Sequence, residues 1–290
     1  MSITKKHNKT LIIGNSKLSN TLIKRKSFLE FDLIPLRDIW EGKSFKKNIY
    51  RNIFYTSQLT RRYRNDYELL KLNNVISAFV LERSNEESNL VFASSIDVFG
   101  TGITTLTSDL DLNPFDYYSE SKVMTEIFIK KNFSRSIILR FPGMYGHDLE
   151  EKSIISRMIY SLIKKKEIIL TSPSIVRSIL SYQYASDYIF ECHNELVKCS
   201  KGTFYGILGS EKSLSLDEMA NILINMNKYF GENLSKFIDN NQDTSAGRNS
   251  KQYIQQTDFD LISYKQEDIK LGINLFIDKL LRDGILKEIF

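Results

Sequence analysis

Short apolar runs alternate with longer amphipathic stretches through the first half of the chain, and this alternation limits the folds open to it. The apolar runs all have strand length: LIIG from Leu11, FDLIPL from Phe31, NIFYTS from Asn52, NLVFASS from Asn89 and RSIILRF from Arg135. Helical periodicity occupies stretches between them, at residues 18–28, 66–83 and 118–132. Strands joined by crossover helices form a parallel sheet that helices cover on both faces. The pattern therefore predicts an α/β fold with a doubly wound parallel sheet, whose ligands bind beyond the carboxyl ends of the strands.

The pattern changes after Gly146, where the predicted elements become shorter. They are a helix at residues 153–166, the strand EIILT, the apolar run IVRSILSY, a helix from Ser186, the strand TFYGIL and the helical sequences LSLDEMANIL and KLGINLFIDKLL. A polar loop is predicted at residues 240–252. These pieces are too short for an independent core. We therefore expect residues 147–290 to form mainly a smaller C-terminal domain packed over residues 1–146, with some segments returning to the main sheet.

Composition and charge exclude several classes of protein. The chain has 40 basic and 35 acidic side chains, and the net charge of +5 is too weak and too scattered for a nucleic-acid binder. Cys192 and Cys199 fit neither a zinc spacing nor a disulfide framework, which indicates a reducing compartment. His7, His147 and His193 lack ligand spacing, so no metal is expected. The apolar segment near the N-terminus is too short for a signal peptide or a membrane span, so we expect a cytoplasmic protein without membrane contact.

The turn after the first apolar run has one feature of a phosphate-binding loop. Such a loop uses glycines for a tight turn, for close approach of the backbone to a pyrophosphate and for close packing of helix on strand. Only Gly14 stands in glycine register here, because Lys17 and Asn20 occupy the other two places. A plain strand-to-helix turn explains the segment equally well, although a hydroxyl and an ammonium are also able to contact phosphate. The candidate cofactor contacts in this turn are Gly14, Ser16, Lys17 and Leu18.

A tyrosine and a lysine at the start of a predicted helix are the strongest candidates for catalysis. Tyr118 and Lys122 are spaced so that their side chains share one helix face. A neighbouring ammonium favours the phenolate, so Tyr118 is expected to exchange a proton near physiological pH. Ser95 ends the preceding strand, where its hydroxyl is able to bind the same substrate oxygen. Taken alone, the tyrosine and lysine have a second explanation, a chance spacing in a helix start rich in capping residues.

Longer motifs surround these candidates: SSIDVFG, NPFDYYSESK and LRFPGMYG. They resemble, in that order, the Ser-Ser-x-x-Val-Tyr-Gly, Pro-Tyr-x-x-Ser-Lys and Leu-Arg-x-x-x-Val-Tyr-Gly segments of the extended short-chain dehydrogenase/reductase family, specifically its nucleotide-sugar epimerases, dehydratases and reductases. The likeness continues through VRSILSY, GTFYGILGSEKSLSLDEMANIL and KLGINLFIDKLL, and so covers most of the chain. The resemblance implies a Rossmann-type sheet with a smaller C-terminal substrate domain, an NAD or NADP cofactor and a nucleotide-sugar substrate.

The resemblance also implies a role for each candidate residue. Ser95 polarises the substrate, Tyr118 is the acid/base, and Lys122 contacts the nicotinamide ribose. Arg177 takes the place of an arginine that often meets the nucleotide phosphates. The further candidate contacts are Asp97 and Gly143 for the substrate, and Tyr55, Thr56 and Pro142 for the cofactor. A homodimer is a candidate assembly.

The chain departs from the family pattern in several places. Only residues 37–51 separate the second and third apolar runs, so one strand and its helix are abbreviated on the adenine side of the site. Gly143 stands where many members carry Asn, and an Asp expected near Tyr184 is missing or displaced. At the end of the second strand, Arg37 favours the 2′-phosphate of NADP over the unmodified ribose of NAD, although a solvent-facing arginine in a loop explains it equally well. These departures concern the substrate and the cofactor more than the fold.

Together these features predict an NADP-dependent reductase of a nucleotide-activated keto-sugar, in polysaccharide synthesis, with NAD as the alternative cofactor. A nucleotide-sugar 4-epimerase of the same family uses the same Ser, Tyr and Lys and is the first alternative. A non-catalytic NAD(P)-binding sensor is the second, suggested by the incomplete glycine loop. A 4,6-dehydratase is not expected, because Ile96 follows Ser95 where the dehydratases of this family carry a proton donor.

Overall fold

A computed structural model describes residues 9–25, 30–101, 103, 105–107, 110–151, 153–238, 253–254 and 267–286. The strands are β1 Thr10–Ile13, β2 Phe31–Ile34, β3 Asn52–Tyr55, β4 Asn89–Ser95, β5 Thr105–Leu106, β6 Arg135–Phe141, β7 Gly143–Tyr145, β8 Glu167–Leu170, β9 Val176–Arg177, β10 Ile179–Ser181, β11 Gly202–Ile207, β12 Leu214–Ser215, β13 Ser235–Ile238 and β14 Tyr253–Ile254. The helices are α1 Lys17–Arg25, α2 Leu36–Trp40, α3 Tyr67–Leu81, α4 Tyr117–Asn132, α5 Ile154–Lys165, α6 Tyr182–Leu196, α7 Leu216–Ile224, α8 Asn227–Phe230 and α9 Ile269–Arg282. No helix within these described ranges is long and apolar enough to cross a membrane. His7 and the loop predicted at residues 240–252 lie outside the described residues.

One parallel sheet of six strands organises the fold, in the order β11-β6-β4-β3-β1-β2. The chain moves from β1 to β2 on one side and then returns to the other side of β1 for β3 and the later strands. The switch point therefore lies between β1 and β3, where such sheets bind ligands. Strands β1 and β4 are buried along their whole length, as expected when helices cover both faces. The predicted α/β fold with a doubly wound, Rossmann-type sheet is confirmed.

The sheet ends at β2, because the chain between β2 and β3 contains only the short helix α2. Pro35 has no backbone N–H, so it ends β2 and, with φ −62° and ψ 142°, precedes the first turn of α2. Arg37 consequently lies on a helix and not at the end of the second strand, which corrects the sequence prediction. The described residues provide no strand beyond β2, in agreement with the expected abbreviation on this side.

The second half of the chain contributes to the main sheet and also forms a core of its own. Strand β11 pairs with β6, and α6 packs beside α1 in the apolar layer against the sheet. A separate cluster of buried apolar side chains joins α5, β8, α7 and α9, and includes Ile159, Leu223 and Phe276. The expectation that these pieces are too short for a second core is therefore wrong.

Helix α6 begins at Tyr182, before the predicted start at Ser186. Ser181 caps this helix, since its hydroxyl accepts a hydrogen bond from the backbone N–H of Tyr184 at 3.1 Å. Glu267, which is buried just before α9, accepts a hydrogen bond from the backbone N–H of Ser181 at 2.7 Å. The start of α6 is thus tied to the C-terminal part of the second core.

Candidate active site

The carboxyl end of β4 carries the first candidate residue, Ser95. The chain continues from it into a short 3-10 helix, Ile96–Phe99, whose first backbone N–H groups lack partners within the helix. The Ser95 hydroxyl accepts a hydrogen bond from the backbone N–H of Asp97 at 3.2 Å. This contact holds the Ser95 side chain at the edge of the sheet where a doubly wound fold binds its ligands.

Tyr118 lies in the first turn of α4, and a capping box fixes this turn. The Asp116 carboxylate accepts a hydrogen bond from the backbone N–H of Ser119 at 2.8 Å, and the Ser119 hydroxyl accepts one from the backbone N–H of Asp116 at 3.1 Å. The hydroxyls of Tyr118 and Ser95 are hydrogen-bonded to each other. The structure therefore brings the predicted serine and tyrosine to a point where one substrate oxygen can bind both.

Lys122 follows one turn later on α4, and its ammonium is buried. Its Nζ donates a hydrogen bond to the backbone oxygen of Ala93 in β4 at 2.7 Å and lies 5.8 Å from the centroid of the Tyr118 ring. Burial lowers the pKa of Lys122 to about 7, against the opposing influence of the Glu126 carboxylate. Glu126 is itself paired with Arg140 at 2.8 Å, and both are buried. Lys122 is thus anchored to the strand that carries Ser95.

The pKa of Tyr118 moves in the opposite direction from the predicted one. Burial is the main cause that raises the pKa to about 12, and the negative charge of Asp97 raises it further. The hydrogen bond with Ser95 and the guanidinium of Arg61 lower the pKa, but by less. The expectation that Lys122 makes Tyr118 acidic is wrong for this geometry, because the ammonium binds a backbone oxygen instead. The Tyr118 hydroxyl is consequently protonated at neutral pH and available as a proton donor.

Arg61 lies beside Tyr118, although no sequence pattern indicates it. It belongs to the segment between β3 and α3, and its guanidinium nitrogens lie 2.7 Å from Asp97 and 2.8 Å from Asp116. The guanidinium carbon is 4.7 Å from the centroid of the Tyr118 ring, within the range of a cation–π contact. In the sequence Arg61 belongs to the basic run TRRYR, which is typical of a solvated surface. Arg61 is distinguished from the other arginines of this run only by its contacts with Asp97 and Asp116, which lie far from it in the sequence.

The turn after β1 forms a close-fitting cradle at the switch point. Gly14 has a φ of +103°, which favours glycine. A Cβ at this position would lie 2.1 Å from the Cβ of Ser57, so the turn and the segment after β3 are in direct contact. The Ser57 hydroxyl is buried and has no hydrogen-bond partner among the described residues. A glycine turn, an unpartnered buried hydroxyl and the start of α1 together fit the pyrophosphate of a dinucleotide.

Lys17 joins this cradle to the second half of the chain. Its ammonium lies 2.5 Å from both carboxylate oxygens of Asp148, one of which also contacts Nδ1 of His147 at 2.6 Å. Ser16 and Lys17 are partly exposed, whereas Leu18 is buried in the apolar layer against the sheet. Of the residues predicted in this turn, Leu18 therefore contributes packing, and the other two present polar groups.

Two predicted cofactor contacts at the end of β3 have side chains that face the interior. The Tyr55 hydroxyl is 3.3 Å from the Ser77 hydroxyl and accepts a hydrogen bond from the Gln58 amide at 3.0 Å. The Thr56 hydroxyl donates to the backbone oxygen of Ile13 at 3.2 Å. Tyr55 and Thr56 are both buried, so any contact that they make with a cofactor uses their backbone groups.

Three predicted contacts lie after the end of β6. Pro142 is buried, and Gly143 is exposed at the start of β7, in register with Ile179 of β10. Arg177 lies in β9, and its guanidinium donates a hydrogen bond to the backbone oxygen of Val176 at 2.9 Å. These residues therefore occupy the segments that lead from the sheet to the second core.

Comparison with known proteins gives a family match over most of the chain. A profile of the RmlD substrate binding domain matches residues 70–281. No curated protein matches the sequence. Among solved structures, UDP-glucose 4-epimerase from Thermotoga maritima aligns with a TM-score of 0.71 at 12% identity, over 95% of this chain and 99% of that one.

Two further solved structures align over similar lengths. For dTDP-4-dehydrorhamnose reductase from Yersinia enterocolitica, the TM-score is 0.69 at 15% identity, over 93% of this chain and 99% of that one. For MoeE5, in complex with UDP-glucose and NAD, the TM-score is 0.70 at 14% identity, over 95% and 99% of the two chains. At these identities the likeness shows a shared fold.

Proposed function

Because the chain belongs to the RmlD substrate binding domain family, within the extended short-chain dehydrogenases/reductases, we propose that it is an NADP-dependent reductase of a nucleotide-activated keto-sugar. The family makes it an NAD(P)-dependent enzyme that acts as an oxidoreductase or an epimerase. The observation that carries the choice of reductase is the turn after β1, where Gly14 alone stands in glycine register and Lys17 and Asn20 occupy the other two glycine places. An epimerase keeps its cofactor bound while the keto-sugar turns over, which favours a tightly binding glycine loop, whereas a reductase exchanges its cofactor in each cycle. The paired hydroxyls of Ser95 and Tyr118 serve either reaction.

Each polar group of the pair has a defined part in the proposed reduction. The nicotinamide supplies hydride to the carbonyl carbon when the cofactor is bound. Ser95 donates a hydrogen bond to the carbonyl oxygen, and Tyr118 transfers its proton to that oxygen as negative charge develops on it. Lys122 is the candidate contact of the nicotinamide ribose, and its bond to Ala93 keeps it next to the strand that carries Ser95.

The cradle at the switch point supports binding of the cofactor pyrophosphate. Gly14 permits close approach of the backbone, and the buried Ser57 hydroxyl offers an unused hydrogen bond. Ser16 and Lys17 lie at the start of α1, where the partial positive charge of the helix also favours an anion.

The preference for NADP gives a prediction about Arg37. Replacing Arg37 by Ala is expected to weaken NADP binding more than NAD binding, by about 1.5 to 3 kcal/mol, because a charged hydrogen bond to the 2′-phosphate is lost. The Arg37 side chain is 75% exposed, and its ion pair with Glu41 at 2.6 Å lies at the protein surface. Its guanidinium is therefore accessible to a ligand. Titration calorimetry with both cofactors measures the difference. Lys43→Ala, which removes a cation paired with Asp38 on the same surface, is the matched control.

Equal losses for the two cofactors in Arg37→Ala would contradict the NADP assignment. Failure of the unaltered protein to bind either cofactor at millimolar concentration would contradict the enzyme assignment itself.

The reaction is tested with a nucleotide-linked 4-keto-6-deoxy sugar and NADPH, with absorbance and product followed together. We expect oxidation of one NADPH for each sugar reduced. Conversion of a hydroxyl sugar to its epimer without net consumption of cofactor would support the epimerase alternative. Cofactor binding without turnover of either kind of substrate would support the sensor alternative.

Elimination of water is not expected from this site. The Ile96 side chain is buried in an apolar cluster with Val98 and Phe99, so it offers no proton to a leaving hydroxyl. The Asp97 carboxylate is paired with Arg61 at 2.7 Å. A dehydrated product in the same assay would contradict this assignment.

We also propose a homodimer that forms through α3 and α4. These helices pack side by side, and they expose Val75, Met124 and Ile127, the last of which is 60% exposed. Sedimentation is expected to give twice the chain mass of 33.7 kDa. Ile127→Glu should give a monomer, whereas Leu275→Glu on the exposed side of α9 should leave the dimer intact. A monomeric unaltered protein would contradict the proposal.

The biological setting rests on family analogy. We place the enzyme in the cytoplasm, in the supply of nucleotide sugars for polysaccharides. We also propose that residues 1–146 form the main part of the cofactor domain and that residues 147–290 form mainly the substrate domain.

A further inference from the structure

Arg61 connects the two segments that carry Ser95 and Tyr118. One guanidinium nitrogen lies 2.7 Å from Asp97, in the 3-10 helix that follows Ser95. Its Nε lies 2.8 Å from Asp116, the residue that caps α4. Because the two carboxylates belong to different elements, they hold the guanidinium from two sides and give it one defined position.

In this position the guanidinium faces the ring of Tyr118. Its carbon is 4.7 Å from the centroid of that ring and 5.2 Å from the centroid of the Phe115 ring. The other polar and charged groups around Tyr118 are the Ser95 hydroxyl, the carboxylates of Asp97 and Asp116, and the Lys122 ammonium. Two cations and two anions therefore surround the phenol in the described part of the chain.

Arg61 and Lys122 differ in the pH range over which their side chains are charged. An arginine side chain keeps its proton at every pH at which a protein is folded. Burial lowers the pKa of Lys122 to about 7, so a large part of its population is neutral under physiological conditions. Lys122 also directs its Nζ to the backbone oxygen of Ala93. Among the described groups, Arg61 is thus the permanent cation against the Tyr118 ring.

We propose that Arg61 is a positioning residue of this active site, which stabilises the phenolate that Tyr118 becomes after it has given up its proton. A cation is attracted to the face of an aromatic ring, and the attraction grows when the ring carries a full negative charge. Asp97 and Asp116 act on the phenolate in the opposite direction, so Arg61 offsets the charge of the residues that hold it. The inference rests on the proposed function, in which Tyr118 is the acid.

Titration of Tyr118 in matched variants tests the proposal. The protein is labelled with a ring-fluorinated tyrosine, whose phenol ionises at lower pH than that of tyrosine itself. The fluorine NMR resonance that is absent from Tyr118→Phe is then followed as the pH is raised. Arg61→Gln should raise the midpoint by about one pH unit. Asp97→Asn should lower it, because an opposing charge is removed while the guanidinium keeps Asp116 as its partner.

Two more variants complete the set. Arg61→Lys restores a positive charge without the forked geometry, so it should recover part of the shift. Arg64→Gln breaks a neighbouring ion pair with Asp66, whose length is 2.7 Å, and should leave the midpoint unchanged.

The midpoint shifts expected for Arg61→Gln and Asp97→Asn have opposite signs, and this difference distinguishes an electrostatic role of Arg61 from a structural one. Arg61→Gln and Asp97→Asn both break the same ion pair, so a structural role would move the midpoint in the same direction in both, and that result would overturn the proposal. No shift in either variant would overturn it as well. Should Arg61→Gln fail to fold, Arg61→Met takes its place, because it keeps an apolar chain of similar length without the charge; a raised midpoint supports the proposal, and an unchanged or lowered midpoint refutes it.

The titration needs no substrate, so its outcome is independent of the proposed reaction. Shifts of the expected signs in a protein that reduces no keto-sugar would uphold the role of Arg61 and contradict the reductase assignment. In an active reductase, the pH dependence of kcat/KM should shift with the same signs.

Discussion

Replacing Tyr118 by Phe is expected to lower turnover by roughly 10² or more while the fold survives. The substitution keeps the ring, and with it the contacts to Arg61 and Phe115, and removes only the hydroxyl that is bonded to Ser95. Loss of that hydroxyl removes the proposed proton donor for the carbonyl oxygen. The measurement is NADPH-dependent reduction of the keto-sugar under single-turnover conditions, together with thermal unfolding.

Tyr117→Phe is the matched control. Tyr117 precedes Tyr118 in the same turn of α4, but its side chain is exposed. We expect turnover close to that of the unaltered protein in this variant. Near-normal turnover in Tyr118→Phe would instead remove Tyr118 from the chemistry.

Replacing Lys122 by Met should lower turnover and raise the stability of the fold. Turnover should fall by roughly 10², because the proposed contact of the nicotinamide ribose is lost. Stability near neutral pH should rise, because a buried ammonium is removed from a site where burial lowers its pKa from 10.5 to about 7. Such a trade of stability for function is typical of active sites.

The pH dependence of this gain has a definite sign. The folded protein binds the Lys122 proton less tightly than the unfolded chain does, so Lys122 lowers the free energy of unfolding. This loss of stability develops as the pH falls from 10.5 towards 7 and is complete below about 7. Lys122→Met should therefore melt at a higher temperature than the unaltered protein at and below neutral pH, and the two should converge as the pH approaches 10.5. Lys131→Met, at the exposed end of α4, should show neither effect. A variant of Lys122 that is less stable at every pH would contradict this account.

Local patterns were sufficient to predict the sheet and the placement of the catalytic candidates. The apolar runs from Leu11, Asn52 and Asn89 became β1, β3 and β4, because a strand buried on both faces has a continuous apolar sequence. The spacing of Tyr118 and Lys122 placed both on the first turns of α4. Their proximity to Ser95 followed from the succession of β4 and α4 along the chain.

The remaining features depend on contacts that no local pattern contains. Arg61 meets Asp116 across 55 positions of sequence, and Lys17 meets Asp148 across 131. The direction of the Lys122 ammonium depends on a backbone oxygen in another element, so the predicted effect on the Tyr118 pKa was wrong. Helix α2 was not predicted, because its five residues, Leu36–Trp40, are too few to show a helical periodicity.

Among the residues that the structure describes, no strand pairs with the outer side of β2, so the sheet has an open edge of backbone N–H and C=O groups there. Such an edge is where a second chain adds most easily. This edge strand is short, Phe31–Ile34, and Asp32 lies within it. The Asp32 carboxylate pairs with Lys9 at 2.9 Å and accepts a hydrogen bond from the Tyr50 hydroxyl. A charged pair on a short edge strand is costly to bury against an incoming strand. The open edge beside β2 is thus protected against the addition of a strand from another copy of the chain.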